Sequence, residues 1–270
     1  MEAARRVRLG VIVRALTTDR AFIGAAALLF AGSAAVTIAW CGSMAAMPGM
    51  AMTGGWTMSM AWMRMPGQGW AGAAATFVGM WSVMMIAMML PALMPSLLRY
   101  RESIAAASAA RRAALTGRVA TGYFLVWILF GAAVFPVGAA LAQAAMRWPI
   151  FSGATPFFGG LVLTMAGMLQ LSAWKSRQLA CCAQSSGCSR PEADATAAWR
   201  EGARLGARCL RCCAPLTAVL LVLGAMDLAT MALVTAAISA ERLAPAGARA
   251  AKIAGVVVIA LGAVTIAGHL

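Results

Sequence analysis

The sulfur-bearing side chains are the residues of this sequence best suited to chemistry. The chain has 7 cysteines and 20 methionines but only 1 histidine, His269, so a site built from several histidines of this chain is excluded. Thiolates and thioethers are soft donors, and among the biological metals they favour Cu(I). The sulfur content therefore indicates a protein that binds a soft metal, with copper as Cu(I) the expected ion.

Methionines recur at helical spacing in the apolar segment from residue 80 to residue 101. A helix would stack Met80, Met84 and Met88 one turn apart. Met85 and Met89 would form an adjoining row, so the five thioethers could hold or relay Cu(I). The alternative is that these methionines are adaptable packing residues at a helix interface.

The cysteines form two groups in the second half of the chain. A C-C pair is followed by Cys188, and a C-x-x-C-C run comes some twenty residues later. In a reducing cytoplasm, such groups are more typical of metal or redox sites than of disulfides. The alternative is ordinary burial, because cysteine is a small apolar residue. The candidate metal ligands are Cys181, Cys182, Cys209, Cys212 and Cys213.

A methionine-rich loop is predicted over residues 41–70, where glycines and prolines disfavour regular structure. It contains 8 methionines and 3 tryptophans. A thioether binds without losing a proton, so it can still hold Cu(I) where thiols are oxidised. Possible additional ligands are therefore Met58, Met60, Met63 and Met65. The alternative is a loop that follows the membrane surface, with its tryptophans at the head-group level.

Asp227 is an acid inside an apolar segment, near the middle of the helix predicted over residues 209–238. A carboxylate inside a membrane is costly, which makes Asp227 a possible functional residue. The alternative is a protonated carboxyl that is hydrogen-bonded to a neighbouring helix. Glu241 and Arg242 follow at the predicted outer end of this helix, where they would form an ion pair at the membrane interface.

Composition indicates that these residues are positioned by membrane-spanning helices. The chain is 62% hydrophobic and 11% charged, whereas soluble domains are about one quarter charged. We predict an all-α, polytopic fold that forms a single membrane domain over residues 1–270. About six transmembrane helices are expected, at residues 21–40, 73–97, 119–142, 155–174, 209–238 and 251–269. The methionine-rich outer loop separates the first two, and a cysteine-bearing cytoplasmic loop covers residues 175–208.

Basic residues predict how the chain is oriented. Of the 22 lysines and arginines, seventeen fall in residues 1–20, 98–118 and 175–211. The positive-inside rule places these regions and both termini in the cytoplasm of a bacterial inner membrane. Arg242, Arg249 and Lys252 would then lie outside, against the rule. Because the net charge of +14 gathers at the ends of apolar segments, it indicates contact with the lipid bilayer, and no nucleic-acid partner is expected.

Several motifs resemble those of a bacterial family described as predicted metal-binding integral membrane proteins, whose members are sometimes labelled copper chaperones. The first is W-x-x-M-x-x-A-M-M-x-P, which begins at Trp81. The others are G-x-x-Q-L-x-x-x-K from Gly167 to Lys175, C-L-x-C-C from Cys209, G-x-M from Gly224, and the Glu241-Arg242 pair. Asp227 and Arg242 stand where relatives often have asparagine and lysine. The resemblance implies a membrane protein that handles copper.

Three functions follow as hypotheses. In the first, the outer loop captures Cu(I), the methionines of the second helix relay it, and the cytoplasmic cysteines receive or sense it. A periplasmic or membrane metal-handling protein is a candidate partner. The second is a metal- or thiol-dependent membrane enzyme in which Asp227 and the cysteines do redox work. The third is a membrane assembly or anchoring protein, in which sulfur only packs. The first is the one we expect, without catalytic activity.

Overall fold

The computed structural model of the chain describes residues 19–45, 49–53, 55–65, 67–184, 194–225 and 227–268. Within these residues the chain forms eight α-helices and one short hairpin. The helices are α1 (Arg20–Ala45), α2 (Trp70–Ser103), α3 (Ala109–Arg147), α4 (Pro149–Leu171), α5 (Ala173–Gln184), α6 (Ala195–Leu223), α7 (Leu228–Leu243) and α8 (Gly247–Ala267). Six of them are long and apolar enough to span a membrane, namely all except α5 and α7. The predicted all-α, polytopic fold is confirmed.

Two contacts define the two ends of the helical bundle. The hairpin pairs strand β1 (Met50–Ala51) with strand β2 (Thr57–Met58). Its Trp56 Nε1 donates to the Ser152 carbonyl at 3.0 Å, near the start of α4, and we call this the hairpin end. At the other end Arg101, late in α2, pairs with Asp19 just before α1 at 2.6 Å. We call this the Arg101 end.

The ion pair at the Arg101 end fixes the start of α1 on the bundle. The Arg101 guanidinium lies 4.4 Å from the centroid of the Phe22 ring, and it also reaches Thr116 of α3. Hydrogen bonding from Arg101 holds the pKa of Asp19 below its ordinary value, so the carboxylate stays charged at neutral pH. Three helices are thus joined through one buried guanidinium.

Glycines allow the closest helix contacts. A Cβ at Gly167 of α4 would lie 2.7 Å from the Gly255 carbonyl of α8, and one at Gly122 of α3 would lie 2.7 Å from the Trp199 carbonyl of α6. Real Cβ atoms do not approach a backbone oxygen so closely, so only glycine permits these spacings. The contacts also determine the direction of α8 relative to α4, because Gly255 faces Gly167 and Gly262 faces Gly160. Helix α8 therefore runs antiparallel to α4.

The helix predicted over residues 209–238 is two helices, which is a correction to the sequence interpretation. Helix α6 ends at Leu223, where Gly224 takes a φ of +122°, a conformation that side-chain-bearing residues rarely adopt. Asp227 then caps α7, and its carboxylate accepts from the Thr230 amide at 2.7 Å. The placement of Asp227 in mid-helix is wrong, because an aspartate after a glycine break satisfies free amides at a helix start.

Three further boundaries differ from the predicted ones. The region 175–208, expected to be a loop, is helical in α5 and in the first half of α6, while Cys188 lies outside the described residues. The outer loop begins later than residue 41, because α1 continues to Ala45, and it contains the hairpin and a short 3₁₀ helix over Met60–Trp62. Helix α2 also continues through Pro91 and Pro95 to Ser103.

The break at Gly224 changes which residues share an end of the bundle. Helix α7 runs back along α6, since Arg242 near its end contacts Cys209 midway along α6. Helix α8 therefore starts towards the Arg101 end and finishes towards the hairpin end. The first described residues thus lie at one end of the bundle and the last ones towards the other end. The location of the termini relative to the membrane stays a prediction.

The α4–α8 contact gives a direct test of the fold. In Gly167→Ala, the added methyl would meet Ile259 Cγ1 at 2.6 Å and the Gly255 carbonyl at 2.7 Å, so the helices must separate. We expect the free energy of unfolding to fall by about 1–3 kcal/mol, the usual effect of overpacking. The measurement is thermal unfolding in detergent. Gly153→Ala on the same helix is the control, because nothing lies within 4 Å of its Cβ position. Equal unfolding midpoints for the two variants would contradict the close contact.

Candidate metal centre

The five methionines of α2 that the sequence singles out all point into the protein interior. Met80, the most exposed of them, is 6% exposed, and Met89 is fully buried. They lie in one continuous apolar core that also contains the cysteines of α6. The structure therefore brings the predicted methionine row and one predicted cysteine group into the same interior. The methionine ligands of this candidate site are Met80, Met84, Met85, Met88 and Met89.

Trp81 sets the position of this methionine row against α3. Its indole Nε1 donates to the Trp127 carbonyl at 2.9 Å, and its ring lies where a side chain at Gly131 would otherwise be. The ring is also stacked 5.9 Å from the ring of Phe77, measured between centroids. Because a fully buried tryptophan is held on three sides, the rotation of α2 about its axis is fixed, and the methionines face inwards.

The cysteines of α5 and α6 meet as two contacting pairs. The sulfurs of Cys209 and Cys213 are 3.8 Å apart, one helical turn along α6. Cys182 of α5 donates to the Arg208 carbonyl of α6 at 3.8 Å, and its thiol is next to Cys212. Cys181, which the sequence places in the same group, is exposed. The structure thus joins four of the five predicted cysteine ligands.

Two donors that the sequence did not predict as part of the site contact Cys209. Tyr123 Oη of α3 lies 2.9 Å from its sulfur, and Arg242 Nη1 of α7 lies 2.7 Å from it. A guanidinium and a hydroxyl aimed at one sulfur stabilise its negatively charged form. These residues are far apart in sequence, so only the helix order could have revealed the contact.

Next to the cysteines lies a buried charge pair, formed by Lys175 of α5 and Glu241 of α7. The Lys175 ammonium is 2.7 Å from the Glu241 carboxylate, and it donates to the Cys212 carbonyl at 2.7 Å. Gln170 of α4 donates to the other carboxylate oxygen at 2.5 Å. The expected ion pair between Glu241 and Arg242 is replaced by these contacts, because the two side chains turn to different partners.

Local hydrogen bonds set the protonation states of two groups, Cys182 of α5 and Asp227 at the start of α7. The hydrogen bond with Cys212, followed by burial, raises the pKa of the Cys182 thiol, so this thiol keeps its proton at neutral pH. A metal that binds Cys182 must displace that proton. At the other end of α7, hydrogen bonds from Thr230 lower the pKa of Asp227. Asp227 is an exposed, ionised cap.

The cysteines do not form a ready cage for a metal ion. Across the part of the chain that the structure describes, no three His, Cys, Asp or Glu side chains are grouped so that they could hold one. What the site offers is paired sulfur, one cation and one hydroxyl in an interior lined with thioethers. Such a set suits a monovalent soft ion better than Zn²⁺, which needs four ligands in structural sites.

The fold and the site define a polytopic helical membrane protein with a sulfur-lined interior. The family described as copper chaperone, PpoB2, matches residues 78–265, and the chain belongs to this family. The matched range contains the methionine row, the cysteine pairs and the buried charge pair, and it begins after the hairpin. No curated protein and no solved structure shows significant similarity to the chain.

The buried charge pair should be essential to stability. Lys175→Met leaves the Glu241 carboxylate uncompensated where it is 4% exposed, and loss of one buried partner costs about 3–5 kcal/mol. We expect a correspondingly lower midpoint of thermal unfolding in detergent. In the double variant Lys175→Met/Glu241→Gln, the free energy of unfolding should fall by less than the sum of the two single losses, because both charges are removed.

The control for this prediction is the pair of Glu201 and Arg204 near the surface, whose side chains are 33% and 66% exposed and whose charged atoms are 3.9 Å apart. Surface pairs contribute about 0–1 kcal/mol, so Glu201→Gln should leave the midpoint nearly unchanged. If Lys175→Met were as mild as Glu201→Gln, the Lys175 contact would be unimportant to the fold.

Proposed function

We propose that this chain binds Cu(I) within a bacterial inner membrane through cysteine and methionine sulfur and passes the ion on. The observation that carries the proposal is the two sulfur pairs, Cys209 with Cys213 and Cys182 with Cys212, next to a core that contains the methionines of α2. Membership of a copper chaperone family supports copper as the ion.

The contacts of Cys209 prepare its sulfur to bind copper. Arg242 and Tyr123 place positive charge and a hydroxyl proton on the Cys209 sulfur, so a thiolate there is stabilised without metal. Cu(I) is a soft cation that thiolates bind strongly, and Cys213 supplies a second sulfur at one helical turn. A pair of ligands, in place of a closed cage, suits a protein that must release its ion.

The methionines of α2 provide weaker ligands next to this pair. Thioethers are neutral, so they hold Cu(I) without the charge that would trap it. We propose that Met80, Met84, Met85, Met88 and Met89 conduct the ion along the interior between the hairpin end and the cysteines. A periplasmic or membrane metal-handling protein is the proposed partner in this scheme.

The helix order supports an orientation with the Arg101 end in the cytoplasm. Among the described residues, Arg64 and Arg147 are the basic ones that belong to the hairpin end. Three basic residues oppose the positive-inside rule in the topology predicted from sequence. In the structure they lie at or just before the start of α8, at the same end of the bundle as Lys175, and they are Arg242, Arg249 and Lys252. The rule is then obeyed throughout, and the C-terminus lies outside.

Copper binding is tested by titration of the detergent-purified protein with Cu(I), under reducing conditions and against a competing chelator. Replacement of Cys182, Cys209, Cys212 and Cys213 by serine should weaken binding at least tenfold, because the strongest soft ligands are gone. Replacement of Met80, Met84, Met85, Met88 and Met89 by leucine should slow transfer of Cu(I) to the chelator with a smaller effect on affinity.

Matched controls separate ligand loss from general damage. Cys41→Ser removes a buried cysteine of α1 that belongs to neither pair. Met165→Leu/Met168→Leu changes exposed methionines of α4, which are 52% and 53% exposed. Both controls should bind as the unaltered protein does. Binding that is absent from the unaltered protein, or equal in all variants, would refute copper handling by these sulfurs.

The proposed orientation predicts opposite locations for the two termini. An N-terminal fluorescent protein that folds only in the cytoplasm should be bright, and the same protein at the C-terminus should be dark. Alkaline phosphatase, which is active only outside, should report the C-terminus as exported. A phosphatase fusion truncated after residue 184 should be inactive, because it ends at the Lys175 side of the bundle. An inactive phosphatase at the full-length C-terminus would contradict the orientation.

A further inference from the structure

A second methionine group lies at the hairpin end, apart from the methionines of α2. Met58 of strand β2 is 2% exposed, and it packs with alanines of α3 in a separate small core. Met52, Met63 and Met146 pack against the same core. Met146 comes from the end of α3, so the group joins three methionines of the loop to one from a long helix. We call these four residues the hairpin methionines.

The hairpin is held firmly against the start of α4. Trp56 Nε1 donates to the Ser152 carbonyl at 3.0 Å, and Ser152 Oγ returns a hydrogen bond to the Thr53 carbonyl at 3.0 Å. The tight turn between the strands uses Gly55 at a φ of +73°, which glycine adopts without strain. The loop methionines are therefore positioned by fixed backbone, which is what a preformed site requires.

Aromatic rings and an open cavity border this group. Trp56 and Trp62 pack against the same core as the four methionines. Beside Met63, a surface cavity of about 390 Å³ is lined by Arg64, Met65, Gln68 and Gln143. Met63 lines this cavity, so at least one of the four methionines can be reached by an ion in solvent. The rings would favour a cation through their π faces, and neutral thioethers would select a soft one.

We propose that Met52, Met58, Met63 and Met146 form a capture site for Cu(I) at the hairpin end. The proposal rests on the proposed copper function, but it names a site separate from the cysteines. Three of its four ligands precede residue 78, so they lie outside the range that the family match covers. Of the loop methionines expected from sequence, Met58 and Met63 belong to this site, and Met65 lines the cavity beside it.

The site is tested in a background in which Cys182, Cys209, Cys212 and Cys213 are serine. This full-length variant should still bind one equivalent of Cu(I), or of Ag(I) as a redox-stable probe, with quenching of tryptophan fluorescence from the adjacent rings. Replacement of the four hairpin methionines by leucine should weaken binding at least tenfold and abolish the quenching. Leucine keeps the volume, since Met-to-Leu exchange in a core usually costs less than about 1.5 kcal/mol.

Two further variants make the result decisive. Met146→Leu alone removes the helix-borne ligand without touching the hairpin, and it should also weaken binding severalfold. Met165→Leu/Met168→Leu, on the exposed face of α4, should leave both the Cu(I) affinity and the tryptophan quenching unchanged. The proposal is overturned if the serine background binds no Cu(I), or if leucine at the four positions leaves affinity and quenching unaltered. In both cases the unaltered protein can still bind Cu(I) at its cysteines, so the copper function is judged separately.

Discussion

The buried pair of Lys175 and Glu241 is the interaction on which the rest of the structure depends. An ammonium and a carboxylate in an apolar interior are stable only when they meet and their remaining hydrogen-bonding groups are satisfied. Here Gln170 and the Cys212 carbonyl complete the arrangement, so α4, α5, α6 and α7 converge at one point. Helix α7 has to fold back towards Lys175 for the pair to form. The break at Gly224 and the cap at Asp227 make that return possible.

The sulfur site is a consequence of this convergence. Helix α5 is polar and short, and Lys175 anchors it so that Cys182 lies against Cys212. The same return of α7 that brings Glu241 to Lys175 brings the next residue, Arg242, to Cys209. The buried charge pair thus positions Cys182 next to Cys212, and it also positions the Arg242 guanidinium that stabilises the Cys209 sulfur.

The sequence predicted the fold class and the helical spacing of the α2 methionines, because hydropathy and helical spacing are local signals. It did not predict the break at Gly224, since the apolar run continues on both sides of it and a single glycine is common inside membrane helices. That one error placed Asp227 in mid-helix, and it placed Glu241, Arg242 and the start of α8 at the opposite end of the bundle from Lys175. The partners of Cys209 were missed for a different reason, because Tyr123 and Arg242 meet it only through helix packing.

The break also accounts for the charge pattern that opposed the sequence topology. With α7 returning, the basic residues around the start of α8 join those of α5 and α6, and the hairpin end keeps few positive charges. The weakly basic hairpin end repels a monovalent cation least, and it carries the methionine-rich hairpin. Neutral thioethers lie at that end, and thiols next to a guanidinium lie deeper in the bundle. Under the proposed function, the sulfur donors become stronger from the hairpin end to the cysteines, which would favour movement of a soft cation in that direction.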